Sequence, residues 1–483
     1  MTKPDPRSDR SEACDSPDIT GDRYHVETWG CQMNVHDSEK LAGALESVGY
    51  RKAAGRHDAD VILLNTCSIR EKAAEKVFSE IGRLLPLKRK NPRLIVGLCG
   101  CVAQQEGEAI FARAPLIDFV MGPRATASLP RTLERLRAGD PSAHRTVDTE
   151  YREDSIRFPF DSIRRESPET GKAYVTIIEG CNHRCTYCIV PTTRGREVCR
   201  PLADVLAEVR SLGQKGICEV EFLGQTVNAY RDDEGNTLAE LLRATAKIDD
   251  IARIRFTTSH PAQMTDKLMD AMQASRPSLC PYLHLPVQSG SSAVLERMRR
   301  GYDRETYLAK IGNLRQRIPE MLFGTDVIVG FPGETEEEFE QTLQLLDEVP
   351  FDTVYSFTYS ERPGTRALDF GDDVPLAVKM ERLRRLQARQ REIQRGRNLM
   401  WIGRQVELLV EGCSKRDATR WTGRTPDHRI VHFAGDSAPG EFVLVEITAA
   451  TPYSLVGRPC AAEKNSRVPD KGSLDEAHRA SSA

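Results

Sequence analysis

Three cysteines within eight residues, Cys181, Cys185 and Cys188, are the side chains of this sequence best suited to chemistry. They follow an apolar run, Ala173–Ile178, so a loop leaving a strand can fold all three thiolates toward one metal or cluster. A three-thiolate iron–sulfur cluster leaves one iron without a protein ligand, open to a cofactor or substrate. Zinc is the alternative, but it usually takes paired C-x2-C units or a fourth ligand at regular spacing. His183 sits inside the loop, badly placed for that fourth role. Three incidental small hydrophobes are the remaining reading.

A second set is distant in sequence. Cys31, Cys67 and Cys101 each follow a short candidate strand, in Trp29–Asn34, Asn65–Ser68 and Gly100–Gln104. The carboxyl ends of parallel strands lie along one edge, where ligands bind and helix N-termini favour thiolates. One buried cysteine there carries little information, whereas three in one register point to a second cluster. Cys99 lies within its strand, which leaves Cys101 as the expected ligand.

The elements that must position these residues follow from the pattern. Candidate strands Tyr24–Trp29, Val61–Asn65, Leu94–Leu98 and Phe119–Met121 alternate with helical stretches Asp37–Val48, Arg70–Leu84 and Gln104–Ala112. That alternation predicts a doubly wound parallel α/β domain over 23–137. Residues 138–168, rich in charge, Asp, Ser and Pro, read as a linker. Six further strands are expected at Ala173–Ile178, Cys218–Leu223, Arg253–Thr258, Tyr282–Leu285, Phe323–Val329 and Thr353–Tyr359. Six βα units suit an open, partial barrel over 169–398, and Thr335–Glu338 has the form of a capping box. Lys379–Arg397 is a basic helix, a candidate for phosphate contacts or simply a solvated face. Short alternating strands at Gln405–Val410, Trp421–Gly423, Ile430–Phe433 and Phe442–Ile447 predict a small β-barrel over 399–461. Residues 1–22 and 462–483 read as disordered polar tails.

Composition narrows the function classes. The 483 residues exceed one ordinary core, and 39% hydrophobic with 29% charged residues is usual for a globular protein. No run approaches the roughly 18 apolar residues of a membrane helix, and the first 22 residues contain no secretory apolar region. A cytoplasmic protein is expected. There, thirteen scattered cysteines serve as ligands or core residues rather than disulfides. The net charge of −3 means that any RNA site must be a local patch.

The Cys181–Cys188 loop resembles that of the radical S-adenosylmethionine (SAM) superfamily, whose C-x3-C-x2-C follows the first strand of a partial (βα)6 barrel. Blocks Gly30–Asn34, Asn65–Glu71, Gly100–Gln104, Gly180–Pro191, Thr192–Pro201, Leu223–Tyr230, Leu283–Ser292, Asp326–Thr335 and Tyr359–Thr365 together resemble the methylthiotransferases. The likeness runs from about Arg23 to Cys460, and Cys67–Lys72 matches the tRNA-modifying branch better than the ribosomal-protein branch. Cys199 and Thr226 depart from the pattern and are expected to touch no ligand.

The resemblance implies two [4Fe–4S] clusters, one on Cys181, Cys185 and Cys188 with SAM, and an auxiliary one on Cys31, Cys67 and Cys101. It implies transfer of a methylthio group to C2 of N6-isopentenyladenosine beside the tRNA anticodon, with a flavodoxin- or ferredoxin-type electron donor and a monomeric enzyme. Threonylcarbamoyl-adenosine or a ribosomal-protein aspartate are alternative substrates, and a non-catalytic iron–sulfur RNA-binding protein is the alternative of another class. Tyr187 stands where the family packs a ring near the SAM adenine, or is a plain core aromatic. No side-chain acid or base is expected. His36, His183, His260 and His284 lie in the matching blocks, with polar loop or strand-end roles as the alternative. The carboxyl-terminal barrel resembles a TRAM domain, with Arg420, Trp421 and Arg424 as candidate RNA contacts, although Trp421 could equally fill the core. Arg194, Arg196 and Arg200 are candidates for guiding an anionic substrate.

Overall fold

The computed structural model describes residues 21–68, 71–152, 156, 163 and 170–460, without the side chains of 71–75. The expected tails, apart from residues 21 and 22, and most of 153–168 lie outside the described residues. Two compact units emerge, one built mainly from 37–152 and one holding 31–36 and everything from 165 onward.

The first unit contains β1 (Arg23–Trp29), α1 (Gln32–Glu46) from residue 37 onward, β2 (Arg51–Lys52), β3 (Val61–Thr66), α2 (Glu71–Lys90), β4 (Ile95–Gly100), α3 (Cys101–Glu106), α4 (Ala109–Arg113), β5 (Phe119–Met121), α5 (Leu129–Arg137) and β6 (Thr146–Asp148). All six strands pair in parallel, in the order β2-β1-β3-β4-β5-β6. β3 and β4 are buried along their whole length, as central strands covered on both faces must be. Alternation assigns the two faces. Ile62, Leu64, Val96 and Leu98 pack with Val77 and Ile81 of α2, while Val61, Leu63, Ile95 and Cys99 pack with Leu41 and Leu45 of α1 and Leu133 of α5.

Four expectations change here. α1 begins at Gln32 rather than Asp37, because the Asn34 and Val35 amides donate to the Cys31 carbonyl and start the turn early. α2 continues through Pro86 to Lys90, its last turn carrying Lys88, Arg89 and Lys90 where the helix dipole favours cations. The helix expected at 104–112 is two short ones, α3 and α4, separated at Gly107 with a φ of +51°. β6 lies inside the expected linker, too short and polar to stand out, and supplies the sheet's last strand.

The second unit contains β7 (Lys172–Thr176), β8 (Ile178–Glu179), α6 (Val190–Arg194), β9 (Val198–Cys199), α7 (Leu202–Gln214), β10 (Glu219–Leu223), α8 (Leu238–Thr245), β11 (Arg253–Phe256), α9 (Asp266–Ala274), β12 (Tyr282–His284), α10 (Ser292–Arg297), α11 (Arg304–Arg317), β13 (Leu322–Val329), α12 (Glu336–Glu348), β14 (Thr353–Thr358) and α13 (Leu376–Leu399). Parallel sheets β11-β10-β7 and β12-β13-β14 supply the six expected strands, with helices covering their outer face. Thr335 and Glu338 form the expected capping box at the start of α12.

The basic helix α13 pairs four of its arginines with acids outside it, while Arg391 and Arg395 are exposed. It lies on acidic partners: Arg382 pairs with Glu334 at 3.0 Å, Arg385 with Glu336 at 2.5 Å, Arg389 with Asp347 at 2.6 Å and Arg397 with Asp352 at 2.8 Å.

β15 (Gln405–Cys413), β16 (Trp421–Arg424), β17 (Ile430–Phe433), β18 (Phe442–Ala450) and β19 (Leu455–Pro459) close into a barrel. β19 was not expected, because Gly457 and Pro459 disguise it. The barrel is fastened to the sheets by buried cations. Arg253 donates to the Arg424 carbonyl at 2.9 Å, and Arg255 to the Thr425 and Pro426 carbonyls at 2.8 Å each. His428 stacks on Tyr282 at 4.7 Å.

Asp352 is buried and accepts from both Arg397 and Arg429. Asp352→Ala leaves Arg397 without its acid and Arg429 with Asp427 alone, and should cost about 3 kcal/mol, read by urea unfolding of the cluster-free chain. Among the described residues, no helix is long and apolar enough to cross a membrane.

Candidate metal centres

The Cys181–Cys188 loop is closed at its base by the antiparallel pair β8–β9, with Ile178 opposite Cys199 and Glu179 opposite Val198. Gly180 makes the turn with a φ of +82°, and a Cβ there would stand 2.0 Å from the Arg196 carbonyl oxygen. Only glycine fits. The Cys181 amide then donates to the Gly195 carbonyl at 3.1 Å, and the Cys188 amide to Cys185 at 3.1 Å. Thr186, fully buried, pins the loop from within. Its amide donates to Met298, its hydroxyl to Arg297 at 3.0 Å, and its carbonyl accepts from Ala367 at 2.8 Å.

The three thiols feel one another. Burial, reinforced by the neighbouring charge of Cys185 and Cys181, pushes the Cys188 thiol up to about 12, and Cys181 is raised by burial, then by the charges of Glu197 and Cys185. Binding a metal therefore has to expel protons and bring compensating charge. Among the described residues, no three Cys, His, Asp or Glu side chains are grouped closely enough for a single ion. A four-iron core takes one thiolate per iron and spreads them more widely.

The loop faces a cation that the sequence did not advertise. Arg300 is 6% exposed and donates to the Cys185 sulfur at 3.2 Å, the Tyr302 hydroxyl at 3.0 Å and the Pro286 carbonyl at 3.0 Å. It also reaches the Tyr187 hydroxyl at 3.4 Å. Among the described residues, no carboxylate lies within 4.0 Å of it. A buried guanidinium without an acid beside it is costly unless an anion sits nearby. A cluster bound by three thiolates is anionic, so the donor set and its surroundings fit that group.

Thr226 was expected to touch no ligand, yet its hydroxyl lies 3.4 Å from the Cys181 sulfur. The 45 residues separating them hid the contact. Cys199 sits in β9, packed against the main core, and its sulfur accepts from the Arg231 amide. Tyr187 packs against Val294, Met298 and Phe331.

The histidines have defined structural partners. His36 is buried on α1, not in a loop, with Nδ1 2.7 Å from the Thr176 hydroxyl. His260 accepts from the Ala262 amide and stacks on His183 at 3.9 Å; burial, then the charge of Arg300, drops it to about 2. His284 is 2.9 Å from Asp326.

In the first sheet, register brings the strand ends level: Trp29 pairs with Thr66 and Thr66 with Gly100. Cys67 directly follows β3, Cys101 opens α3 after β4, and Cys31 lies two residues beyond β1 in the chain. Gly100 repeats the device of Gly180, with a φ of +91° and a Cβ position 2.3 Å from Asn65 Oδ1. Cys67 and Cys101 are buried, and the Cys31 thiol donates to Asn34 Oδ1 at 3.3 Å. Cys99 points into the α1 side of the core, where burial alone raises its thiol to about 12.

Most of the arginines expected to meet RNA are committed elsewhere. Arg194 is buried, and Arg200 pairs with Glu208 at 2.5 Å and donates to the Thr176 carbonyl. Arg424 pairs with Glu411 at 2.8 Å. Trp421, half-buried, packs against the β-barrel core, and its indole N–H donates to the Gly435 carbonyl at 3.1 Å. Arg196 and Arg420 remain exposed, Arg420 beside Asp417 at 3.3 Å. Sequence spacing could not reveal these pairings, because each joins separate elements or the two ends of a turn.

Three known families match successive parts of the chain: uncharacterized protein family UPF0004 over 23–122, the radical SAM superfamily over 175–346 and the TRAM domain over 401–460. A tRNA-2-methylthio-N(6)-dimethylallyladenosine synthase of Halorhodospira halophila is 48% identical, covering 92% of this chain and 93% of its own. The chain belongs to that synthase family. A second member, from Mannheimia succiniciproducens, is 47% identical over 90% of this chain and 92% of its own. Among solved structures, the radical SAM methyltransferase TsrM of Kitasatospora setae aligns with a TM-score of 0.53 at 15% identity, over 72% of this chain and 77% of its own. The radical SAM enzyme OxsB aligns with a TM-score of 0.52 at 12% identity, over 75% of this chain and 56% of its own. These two likenesses establish the fold alone. Membership of the synthase family brings SAM and a [4Fe–4S] cluster with it.

Proposed function

We infer that this chain is a tRNA methylthiotransferase that adds a methylthio group to C2 of N6-isopentenyladenosine beside the anticodon. The observation that carries the reading is the near-complete correspondence to the synthases, which spans all three domains and both three-cysteine sets. Cys181, Cys185 and Cys188 hold the SAM-binding cluster, and Cys31, Cys67 and Cys101 hold an auxiliary one. When bound, these groups supply one-electron cleavage of SAM to a hydrogen-abstracting radical, and the sulfur to be transferred.

The chain's own residues do the positioning. Gly180 and Gly100 let Cys181 and Cys101 approach closely packed backbone. Thr186 fixes the loop, Arg300 balances its negative charge, and Thr226 is placed to hydrogen-bond the Cys181 sulfur. Tyr187 lies within the loop, where an adenine ring would pack against it. An aromatic C–H offers a side-chain base no acidity to exploit, so the reaction calls for no acid–base pair. The TRAM barrel supports tRNA as the substrate, and the cytoplasm is the compartment where that substrate is found.

The test is the nucleoside profile of tRNA from a strain lacking the gene, before and after complementation. Loss of 2-methylthio-N6-isopentenyladenosine, with its precursor accumulating, is the expected result. An unchanged profile sinks the reading. Loss of the methylthio group from threonylcarbamoyl-adenosine or from a ribosomal-protein aspartate would move the activity to that substrate.

A further inference from the structure

The two faces of sheet β12-β13-β14 are closed to different degrees. On one, Phe323, Val327 and Val329 pack with Phe339 and Leu345 of α12 and Leu386 of α13, and Ser356 accepts from Gln387 of α13 at 3.3 Å. The alternate residues stand on the opposite, inner face. Register sets Asp326 beside Tyr355 and Ile328 beside Phe357. Contacts across the strands confirm the shared face: His284 lies 2.9 Å from Asp326, and its ring meets Tyr355 edge-on at 5.9 Å.

This inner face is open. Tyr355 is 46% exposed and Phe357 43%, both on β14, the edge strand of its sheet. Ile328 and Tyr187 of the cysteine loop pack against one small apolar cluster, which includes Met298 and Phe331. The wall therefore begins at the loop and runs two residues, about 7 Å, deeper along each strand to Asp326 and Tyr355. Asp326 is the one acid on this face of the three strands, and only one of its carboxylate oxygens is taken, by His284. On sheet β11-β10-β7 the buried acids are spent on cations, Glu221 on Lys172 at 2.7 Å and Glu219 on Arg255 at 2.9 Å. Two exposed rings and an open acceptor below the loop match a purine whose N6 carries one N–H and a branched apolar chain.

We propose that Asp326, Tyr355 and Phe357 are specificity-determining residues for the N6 substituent of the adenosine: Asp326 accepts from the N6–H, and the two rings cover the dimethylallyl chain. The inference rests on the methylthiotransferase reading above. With C2 of the purine toward the cysteine loop, its N6 side lies one step deeper. The same step separates Ile328 and Phe357 from Asp326 and Tyr355. Rings that take an apolar chain out of water favour it over a bare amino group, which gains nothing from them.

The experiment measures, by fluorescence anisotropy without reductant, how the full-length reconstituted protein binds two labelled anticodon stem-loops, one with and one without the N6-isopentenyl group. The wild type should prefer the prenylated RNA by about tenfold or more. Tyr355→Ala with Phe357→Ala should bring that preference to within about twofold, through weaker binding of the prenylated RNA alone. Tyr355→Phe, which keeps the ring, should retain it. Asp326→Ala should weaken both RNAs by a similar factor, since each has an N6–H to donate. A double variant that keeps the wild-type preference, or Asp326→Ala that binds both RNAs as tightly as the wild type, would overturn the proposal. So would a wild type that methylthiolates the prenylated RNA without preferring it. No methylthiolation of that RNA by the wild type under reductant would instead remove the reading beneath the proposal.

Discussion

Cys181→Ala should reduce SAM cleavage under dithionite to the level of the enzyme-free control. The Cys181 thiol is the first of the three on the loop, set by Gly180, whose backbone admits no side chain, and placed within reach of the Thr226 hydroxyl. Its loss leaves two thiols to hold a cluster that needs three, beside a buried Arg300 whose charge then has less to balance it. Production of 5′-deoxyadenosine, followed by chromatography, reports the loss directly. Thr226→Val is the graded companion: it keeps the thiols, removes only the hydroxyl, and should leave cleavage measurable but slower. If Cys181→Ala cleaved SAM at the wild-type rate, the loop would not be the radical generator.

The second large effect separates the two cysteine sets. Cys67→Ala should retain SAM cleavage within about twofold, as expected of independent sites, yet yield no methylthiolated nucleoside. Cys67 follows β3 in the first sheet, while the SAM loop is built by β8, β9 and residues from 297 to 367. Cys67 and the SAM loop therefore follow strands of different sheets. Mass analysis of nucleosides from a reaction with an isopentenylated anticodon stem-loop reads one half, and 5′-deoxyadenosine the other. Equal loss of both activities in Cys67→Ala would contradict the division of labour.

Much of this site could be read from the sequence, because its signals are local or periodic. The eight-residue cysteine loop declares itself, and the strands before Cys31, Cys67 and Cys101 are short apolar runs whose register follows from a parallel sheet. The capping box at Thr335 and the four-strand skeleton of the carboxyl-terminal barrel are local signals too. What escaped depends on residues far apart in sequence. Arg300 reaches Cys185 across 115 positions, and nothing in Met298–Tyr302 marks it as a neighbour of the cluster loop. Thr226 meets Cys181 in the same way.

Charge was the least transparent feature. Arg194, Arg200 and Arg424 looked available to RNA, but two are buried and two are paired with acids. Arg382 and Arg385 of α13 face glutamates of α12 and its preceding turn. A run of like charge specifies a need for partners, not where they lie. The early start of α1 shows the same limit at short range, since its first turn, Gln32–Val35, mixes polar and apolar residues without a clear helical period.

The central claim is that two separate sets of three thiols each hold a four-iron cluster. Iron and acid-labile sulfide should be counted on anaerobically reconstituted protein, for the wild type and for the triple alanine variants at Cys31/Cys67/Cys101 and at Cys181/Cys185/Cys188. The account predicts about eight irons and about eight sulfides per wild-type chain, falling to about four of each in either triple variant. About four in the wild type, or loss of all iron on removing either set alone, would contradict it.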